Sequence, residues 1–584
     1  MGTRQARYTR PPWASRIATA ILTPLCLLMI GELVCRLVGL YRPTGFLIMT
    51  PDKRYYAPNQ DFLRQFYSGD AAVGKILPFR AQIDKPRDTR RIVIIGESAA
   101  QGTPEPAFGF ARILQLILRR ADPHLRIEVI NAAMRGVDST ILAVAAKDLI
   151  QLRPDLFVLY IGNNEVVGLH GARGSLGLAV NGLRKGLQHT AIGQILTRIV
   201  PTGTSTQDMA YFRRHRVAMA DPRRKAVYRR LAGNLDRICR LAADNRIGVV
   251  LCTVAVNLKD CPPFGSLHGP DLDPSSLSRW QGLYRDAIAA EALGRIDQAI
   301  SSFEAANRID DGFAELHFRL ARCLEKAGQS DLAFQHFRMA CDLDALAFRA
   351  DSRINEVIRD LARRWQASNV RLVDIEAAMA AKGIPGQQYF HDHVHLNFEG
   401  DHLVACSIAP AVWKALGLDG QPGLPSVQDC AAGLAYNTFA QLQMAAGMLQ
   451  TTSRPPFLDQ LDHDHVQKAN AQWLEAAMKG ITPGQLQAAA DAYSAALAND
   501  PNDWYIHRLY AYLALWRQDA KAAIDHLDAA VRLFPEHLPT VLLYGSVLAQ
   551  AGLNQQAIIQ YRRALRLDPA NKMARKAVRS LSRH

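Results

Sequence analysis

A spacing of 34 residues recurs in two separate parts of the chain and restricts both parts to stacked helical hairpins. Within residues 280–350, Gly294 recurs as Gly328. Within residues 481–584 three sets recur at the same spacing: Ala489, Ala523 and Ala557; Ala496, Ala530 and Ala564; Pro501, Pro535 and Pro569. One helix pair cannot bury its apolar side alone, so neighbouring pairs stack, and small side chains let their backbones approach. A coiled coil needs a heptad instead, and the regular prolines exclude one.

Small residues where the helices cross, followed by proline after the second helix, make both regions resemble the tetratricopeptide repeat. The first region adds further matched pairs at the same spacing: Ala299 with Ala333, Phe303 with Phe337, and Ala306 with Ala340. The resemblance implies all-α arrays with a concave surface that binds peptides or proteins. We therefore expect a protein partner.

A different pattern begins at Arg91, where apolar runs alternate with amphipathic stretches. It predicts five strands: Ile92–Ile95, Leu125–Ile130, Leu156–Ile161, Gly248–Val254 and Val370–Ile375. It predicts helices between and after them: Phe108–Arg120, Ser139–Leu152, Lys225–Asp244 and Asp401–Leu416. Strands that alternate with helices indicate an α/β domain whose parallel sheet is covered on both faces. We assign this domain to residues 91–272 and 352–417, with the first repeat region inserted between them.

Polar residues follow these predicted strands at the places where each strand ends. Ser98 comes directly after the first strand, and Asp392 and His395 lie beyond the last one. Ligands bind at the carboxyl edge of such sheets, so we expect these side chains to share one site. A hydroxyl, an imidazole and a carboxylate are the three parts of a nucleophilic hydrolase centre.

Four short blocks in this order resemble the SGNH/GDSL hydrolases. The blocks are Gly96-Glu97-Ser98, Asn131 to Gly136, Gly162-Asn163-Asn164-Glu165, and Asp392 to His395 with Asn397 and Gly400 behind it. The resemblance implies a flavodoxin-like three-layer sandwich, with Ser98 as nucleophile, His395 as base and Asp392 as its orienting acid. It also implies an oxyanion hole formed by Ser98, Gly136 and Asn164. Glu replaces the family's usual Asp at positions 97 and 165, and we expect the Glu97 side chain to point away from the reacting carbon.

Plainer interpretations of these residues remain open. Ser98 and Asp392 could be helix or loop caps, Asn164 a turn residue, and His395 a packing residue. The alternating His391, His393 and His395 could bind a metal, as could the run Asp462 to His465, but the neighbouring acid and serine favour a triad. We predict no metal and no cofactor. The loop after the fourth strand carries Asn257 and Phe264, which we predict to contact substrate; the alternative is a rigid proline turn.

The N-terminus predicts a membrane anchor. Four arginines, at positions 4, 7, 10 and 16, precede an uncharged apolar run from Ile17 to Gly31, and a further apolar stretch, interrupted by Glu32 and Arg36, continues to Leu40. The arginines place residues 1–16 in the cytoplasm, and residues 17–40 form the predicted transmembrane signal anchor. The rest of the chain is then extracytoplasmic, or periplasmic in a bacterium. Residues 41–90 are predicted to be a linker, and residues 418–480 a connecting region without an assigned fold.

The net charge of +15 is concentrated between Arg184 and Arg240. It indicates either a solvated helix face or a surface for anionic lipid, nucleic acid or polysaccharide. No zinc-finger spacing, RNA-binding aromatic motif or basic zipper accompanies it, so we expect no nucleic-acid partner.

These observations predict a membrane-anchored serine esterase that acts on acyl esters through an acyl-Ser98 intermediate. One alternative is an O-acyltransferase that modifies an extracellular polysaccharide, because water and a sugar hydroxyl can attack the same acyl-enzyme. The other is a repeat scaffold whose hydrolase site is vestigial.

Overall fold

The structure is a computed structural model, and it describes residues 13–67, 75–172, 186–199 and 209–582. Most of the predicted cytoplasmic segment 1–16 lies outside this part of the chain, as do portions of the basic stretch between Arg184 and Arg240. Contacts divide the chain into two compact units. The smaller unit takes in residues 1–45, 61–73 and 175–204, and the larger takes in the remainder.

Part of the predicted linker 41–90 is a small antiparallel sheet. Its three strands pair in chain order: β1 (Leu47–Met49), β2 (Tyr55–Pro58) and β3 (Ala81–Gln82). Phe46 and Ala57 are buried beside it, and the backbone N–H of Phe46 donates to the Asp148 carboxylate. This segment is therefore a packed part of the larger unit, because its few aromatic and apolar residues find partners on the neighbouring domain.

Five parallel strands form the main sheet: β4 (Thr89–Gly96), β5 (Arg126–Asn131), β6 (Leu156–Tyr160), β7 (Gly248–Cys252) and β8 (Val370–Val373). Their spatial order is β5-β4-β6-β7-β8, which is the doubly wound order 2-1-3-4-5. All five predicted strands are present. Ile375, predicted to end the last strand, instead begins a helix, because Asp374 accepts a hydrogen bond from the Ala377 N–H and caps it.

Helices cover both faces of this sheet. Before the inserted repeats, the larger unit contains α2 (Ser98–Gln101), α3 (Phe110–Ala121), α4 (Ser139–Leu149), α6 (Met209–Arg214) and α7 (Pro222–Asp244), whereas α1 (Trp13–Leu37) and α5 (Ala191–Ile199) belong to the smaller unit. The insertion between β7 and β8 consists of α8 (Pro274–Ala292), α9 (Ile296–Asn307), α10 (Ala314–Lys326) and α11 (Ser330–Asp342). The domain then closes with α12 (Ser352–Trp365), α13 (Ile375–Ala380) and α14 (Phe398–Ala415). Helices α3 and α14 pack together, and α7 packs with α4 and α12, which gives three layers.

The remaining chain is helical. The connecting region, which had no predicted fold, contains α15 (Val427–Gly433), α16 (Thr438–Thr452) and α17 (His463–Lys479). The C-terminal array contains α18 (Pro483–Asn499), α19 (Trp504–Trp516), α20 (Ala520–Leu533), α21 (Leu538–Gln550), α22 (Asn554–Leu567) and α23 (Lys572–Leu581). Short 3-10 turns occupy Phe62–Gln65, Pro106–Phe108, Ile150–Leu152 and Phe457–Asp459. The repeating alanines at 523, 530, 557 and 564 are fully buried where these helices cross.

In the smaller unit, α1 packs against α5, whose first backbone N–H groups, at Ala191 and Ile192, donate to the Glu32 carboxylate. The stretch Ala20–Leu37 of α1 is long and apolar enough to cross a membrane, with a mean hydropathy of 1.9 and no buried residue. Such a helix is compatible with a signal sequence or an anchor.

Both repeat arrays contain a histidine pair at the same repeat position. Nδ1 of His317 lies 2.9 Å from Nδ1 of His336, and His507 and His526 have the same separation. Nε2 of His317 donates to the Asp311 carbonyl, so its Nδ1 must accept a hydrogen from His336. Burial and the neighbouring imidazole lower the pKa of His336 and of His526 to about 4.

These pairs predict that acid weakens the arrays. The unfolded chain binds a proton on each histidine near its usual pKa of about 6.5, whereas the folded chain binds it only near 4. Stability should therefore fall as the pH drops through this window. The double variant His336→Gln/His526→Gln should lose less stability than the wild type between pH 7 and about pH 5 in urea unfolding. Equal losses in both proteins would contradict the prediction.

Candidate active site

Ser98 is the first residue of α2, directly beyond the carboxyl end of the buried strand β4. The turn between them is tight. A Cβ added to Gly96 would lie 2.4 Å from the Ala100 Cβ and 2.6 Å from the Tyr160 carbonyl oxygen, so only glycine fits. The sharp turn lifts the half-buried Ser98 onto the edge of the sheet.

Two hydrogen bonds connect Ser98 with residues nearly 300 positions later. Nε2 of His395 lies 2.9 Å from Oγ of Ser98, and Nδ1 of His395 lies 2.7 Å from Oδ2 of Asp392. The other carboxylate oxygen of Asp392 accepts the backbone N–H groups of Val394 and His395 at 3.0 and 2.9 Å, which curls this loop tightly. The structure thus brings the three predicted catalytic side chains into one hydrogen-bonded chain.

The charge of Asp392 fixes which nitrogen of His395 carries the hydrogen in this hydrogen-bonded chain. Burial raises the pKa of the Asp392 carboxyl, but the imidazoles of His395 and His393 and their hydrogen bonds outweigh burial and hold that pKa well below its usual range. Asp392 is therefore a carboxylate, which can only accept hydrogen bonds. Nδ1 of His395 must carry the hydrogen, which leaves Nε2 free to accept the hydroxyl proton of Ser98.

Gly136 and Asn164 lie at the same edge, after the two strands that flank β4. Gly136 has a φ of +64°, which favours glycine, and its loop is fixed to β4 because the Met134 N–H donates to the Gly96 carbonyl at 3.0 Å. Asn164 follows β6 and is partly exposed. Both residues are thus held to the turn that carries Ser98, through Gly96 and Glu97, and their predicted oxyanion role remains a prediction.

Glu97 has a structural role that the sequence did not reveal. Its side chain is 1% exposed. It accepts the backbone N–H groups of Asn163 at 2.8 Å and Asn164 at 3.3 Å. Burial and the nearby Glu165 raise its pKa well above the usual value. Glu97 thus fixes the loop that carries Asn164.

Glu165, in the loop after β6, holds the start of the neighbouring helix α4 in a similar way. It accepts both the backbone N–H and the hydroxyl of Ser139, at 2.7 and 2.8 Å. Burial and Asp138 raise its pKa to about 7. In the sequence, these supporting roles of Glu97 and Glu165 were indicated only by the acidic residue in each of the two blocks.

The two residues predicted to contact substrate are engaged within the protein. Asn257 is buried, its Nδ2 donates to the Asp392 carbonyl at 2.9 Å, and its Oδ1 accepts the Asp260 N–H at 2.9 Å. Phe264 is 1% exposed and its ring contacts His393 and Phe457. Both side chains support the Asp392 loop, and their predicted contact with substrate remains a prediction.

The same loop also has ligand-type side chains in a cluster. Among the described residues, Asp392, His393 and His395 have potential ligand atoms within 4.8 Å of one another. A metal there would compete with the hydrogen bonds that already engage both nitrogens of His395. The run Asp462 to His465 is not part of this cluster; Asp462 instead pairs with Arg322 at 3.2 Å.

The C-terminal array contacts the loop that follows Ser98, which the sequence did not predict. Arg508 on α19 pairs with Glu105 at 2.5 Å, and both side chains are 13% exposed. Asp503, just before the same helix, pairs with Arg112 of α3, and Arg80 pairs with Glu536 at 3.4 Å. The array is therefore joined by ion pairs to the segment that follows Ser98 and to α3.

A family model described as tetratricopeptide repeat matches residues 284–347, 484–537 and 522–572. The chain therefore carries this repeat in both of the predicted regions. No curated protein matches the sequence.

Solved structures are similar to about half of this chain. A GDSL-like lipase from Bacteroides thetaiotaomicron is 14% identical, with 56% of this chain and 89% of that chain covered at a TM-score of 0.26. A lipase/acylhydrolase from Enterococcus faecalis is 13% identical, with 57% and 100% covered at 0.25. A tetratricopeptide protein from Thermus thermophilus is 13% identical, with 52% and 100% covered at 0.18.

Removing the Glu97 acceptor should destabilise the protein. Glu97→Leu leaves two buried N–H groups without their acceptor, at a cost of about 1–3 kcal/mol each. The free energy of unfolding in urea checks this. Glu97→Gln keeps one acceptor oxygen, so its loss of stability should be less than half of the loss in Glu97→Leu. Equal losses for the two variants would contradict the role assigned to Glu97.

Breaking the Arg508–Glu105 pair should also destabilise the protein. Arg508→Met leaves a mostly buried carboxylate unpaired and should cost about 3–5 kcal/mol. The double variant Arg508→Met/Glu105→Leu removes both charges and should regain most of that stability. Additive losses in the double variant, measured by urea unfolding, would show that the two charges do not interact.

Proposed function

We propose that this protein is a membrane-anchored serine ester hydrolase that cleaves acyl esters outside the cytoplasm through an acyl-Ser98 intermediate. The observation that carries the proposal is the hydrogen-bonded chain from Ser98 through His395 to Asp392, at the carboxyl edge of a parallel sheet. The four blocks that resemble SGNH/GDSL hydrolases support the same chemistry, since each of them lies at this edge.

The proposed reaction begins when Oγ of Ser98 attacks the ester carbonyl while Nε2 of His395 takes its proton. Asp392 stabilises the imidazolium that forms. The backbone N–H groups of Ser98 and Gly136 and the Asn164 side chain would hold the oxyanion, and one such donor contributes about 2.7–4 kcal/mol. His395 then protonates the departing alkoxide.

Deacylation uses the same groups in reverse order. His395 takes a proton from water, the water oxygen attacks the acyl carbon, and Ser98 leaves as the restored hydroxyl. The narrow turn at Gly96 keeps Ser98 in place through both steps. The apolar helix α1 would hold the enzyme at the membrane, and the repeats would dock a protein partner.

A fluorophosphonate probe should label the wild type at Ser98, and Ser98→Ala should not be labelled. Hydrolysis of p-nitrophenyl acetate should fall by several orders of magnitude in Ser98→Ala, and Asp392→Asn should lose about 10⁴-fold in kcat, because the wrong tautomer of His395 is then favoured. Chelator treatment is the control for the Asp392, His393 and His395 cluster, and activity should survive it.

Either of two results would contradict the proposal and identify a different function. Acyl release that occurs only with an added glycan acceptor would identify an acyltransferase. A phenotype that survives Ser98→Ala but is lost when residues 481–584 are deleted would identify a scaffold.

A further inference from the structure

We infer that a groove beside the Asp392 loop binds a neutral carbohydrate segment of the substrate, with Trp473 as the platform on which a sugar ring packs. The inference rests on the proposed esterase function for the chemistry that follows binding. It goes beyond that function because it names the substrate class. Binding itself does not need Ser98, so the two ideas can fail separately.

The groove has a volume of about 520 Å³ and three walls. One wall is the segment with Asp392 and His393, next to the loop after β7. The second is helix α10 of the inserted repeats, and the third is formed by α16 and α17 of the connecting region. A ligand in the groove would therefore lie against the segment that leads into the proposed base, although Ser98 and His395 are not themselves among the lining residues.

Sequence runs without an assigned role converge on this groove. The run around Phe457, the Asp462 to His465 run and the loop from Asn257 onward all contribute lining residues. None of the three is needed to close the main sheet. Their convergence at one cavity, beside the hydrogen-bonded chain, indicates that the cavity is a built feature of the chain.

The charges of the groove favour an uncharged ligand. Lys259 pairs with Glu325 at 2.6 Å, and Arg322 pairs with Asp462 at 3.2 Å. Asp260 accepts the backbone N–H of Gln387 at 2.8 Å. These contacts neutralise charges across the walls, so the groove has no strong field of one sign that would attract a charged ligand.

One face of α17 presents polar and aromatic side chains of the kinds that bind sugars. His463, Gln467, Asn470 and Trp473 recur at helical spacing and line the groove together. The Trp473 side chain is 59% exposed, although large apolar side chains are usually covered. Sugar rings present C–H faces that pack on an indole, and hydroxyls that pair with carboxamides. A fatty acyl chain is the competing occupant, because Met448, Leu449 and Val466 also line the groove, and the experiment below separates the two.

The test is binding of cellohexaose, mannohexaose and xylohexaose to the full chain, measured by calorimetry and by tryptophan fluorescence. At least one of them should bind, and Trp473→Ala should weaken that binding at least about tenfold. Trp516→Ala is the matched control, because Trp516 is 42% exposed and does not line the groove. It should leave binding unchanged.

The Ser98→Ala variant separates the two proposals. It should bind the same oligosaccharide as tightly as the wild type while it fails to release acetate from the acetylated form. The KM of the wild type for that acetylated form should rise at least about tenfold in Trp473→Ala. Three outcomes would overturn the inference: no binding of any probe, equal binding by wild type and Trp473→Ala, or an ester preference that Trp473→Ala changes only through acyl-chain length.

Discussion

The hydrogen bond between Ser98 and His395 joins residues 297 positions apart, and the site exists only because the chain returns to the same edge of the sheet. The end of the inserted repeats makes this return possible. Asn163 accepts the Ala350 N–H at 3.2 Å, and Asn355 exchanges hydrogen bonds with Val254. These bonds tie the exit of the insertion to the strands that carry the site, so that β8 and the Asp392 loop follow in register.

Buried charged residues also hold the loops in place at the carboxyl edge of the main sheet. Arg349 is fully buried and donates to the carbonyls of Asn257 and Cys261. Asp344 accepts the N–H groups of Phe264 and Gly265, and burial raises its pKa. Charges are costly to bury unless they are paired and hydrogen-bonded. Their presence here indicates that the loops need strong, directional bonds where the regular strand pairing has ended.

The strands and the approach of Ser98, His395 and Asp392 could be predicted from the sequence, because buried parallel strands read as apolar runs and their carboxyl ends share one edge. Side-chain direction could not. Asn257 and Phe264 follow a strand like the other site residues, yet both are buried and contact the Asp392 loop, because no periodicity governs a loop. The Arg508–Glu105 ion pair could not be predicted from the sequence either, because contacts between distant domains leave no local pattern. The roles of Ser98, Gly136 and Asn164 in catalysis remain predictions.

Placing a helical array between β7 and β8 also sets the order in which a growing chain can mature. Strands β4 to β7 are complete by residue 252, whereas the fifth strand begins only at residue 370, after the inserted helices. During synthesis a four-stranded core can pair while Ser98 still has no imidazole beside it. Chain segments fold largely in the order in which they emerge. A nascent or prematurely terminated polypeptide would thus carry Ser98 without its hydrogen-bond partner His395, and the three-residue chain would be complete only near the end of the domain.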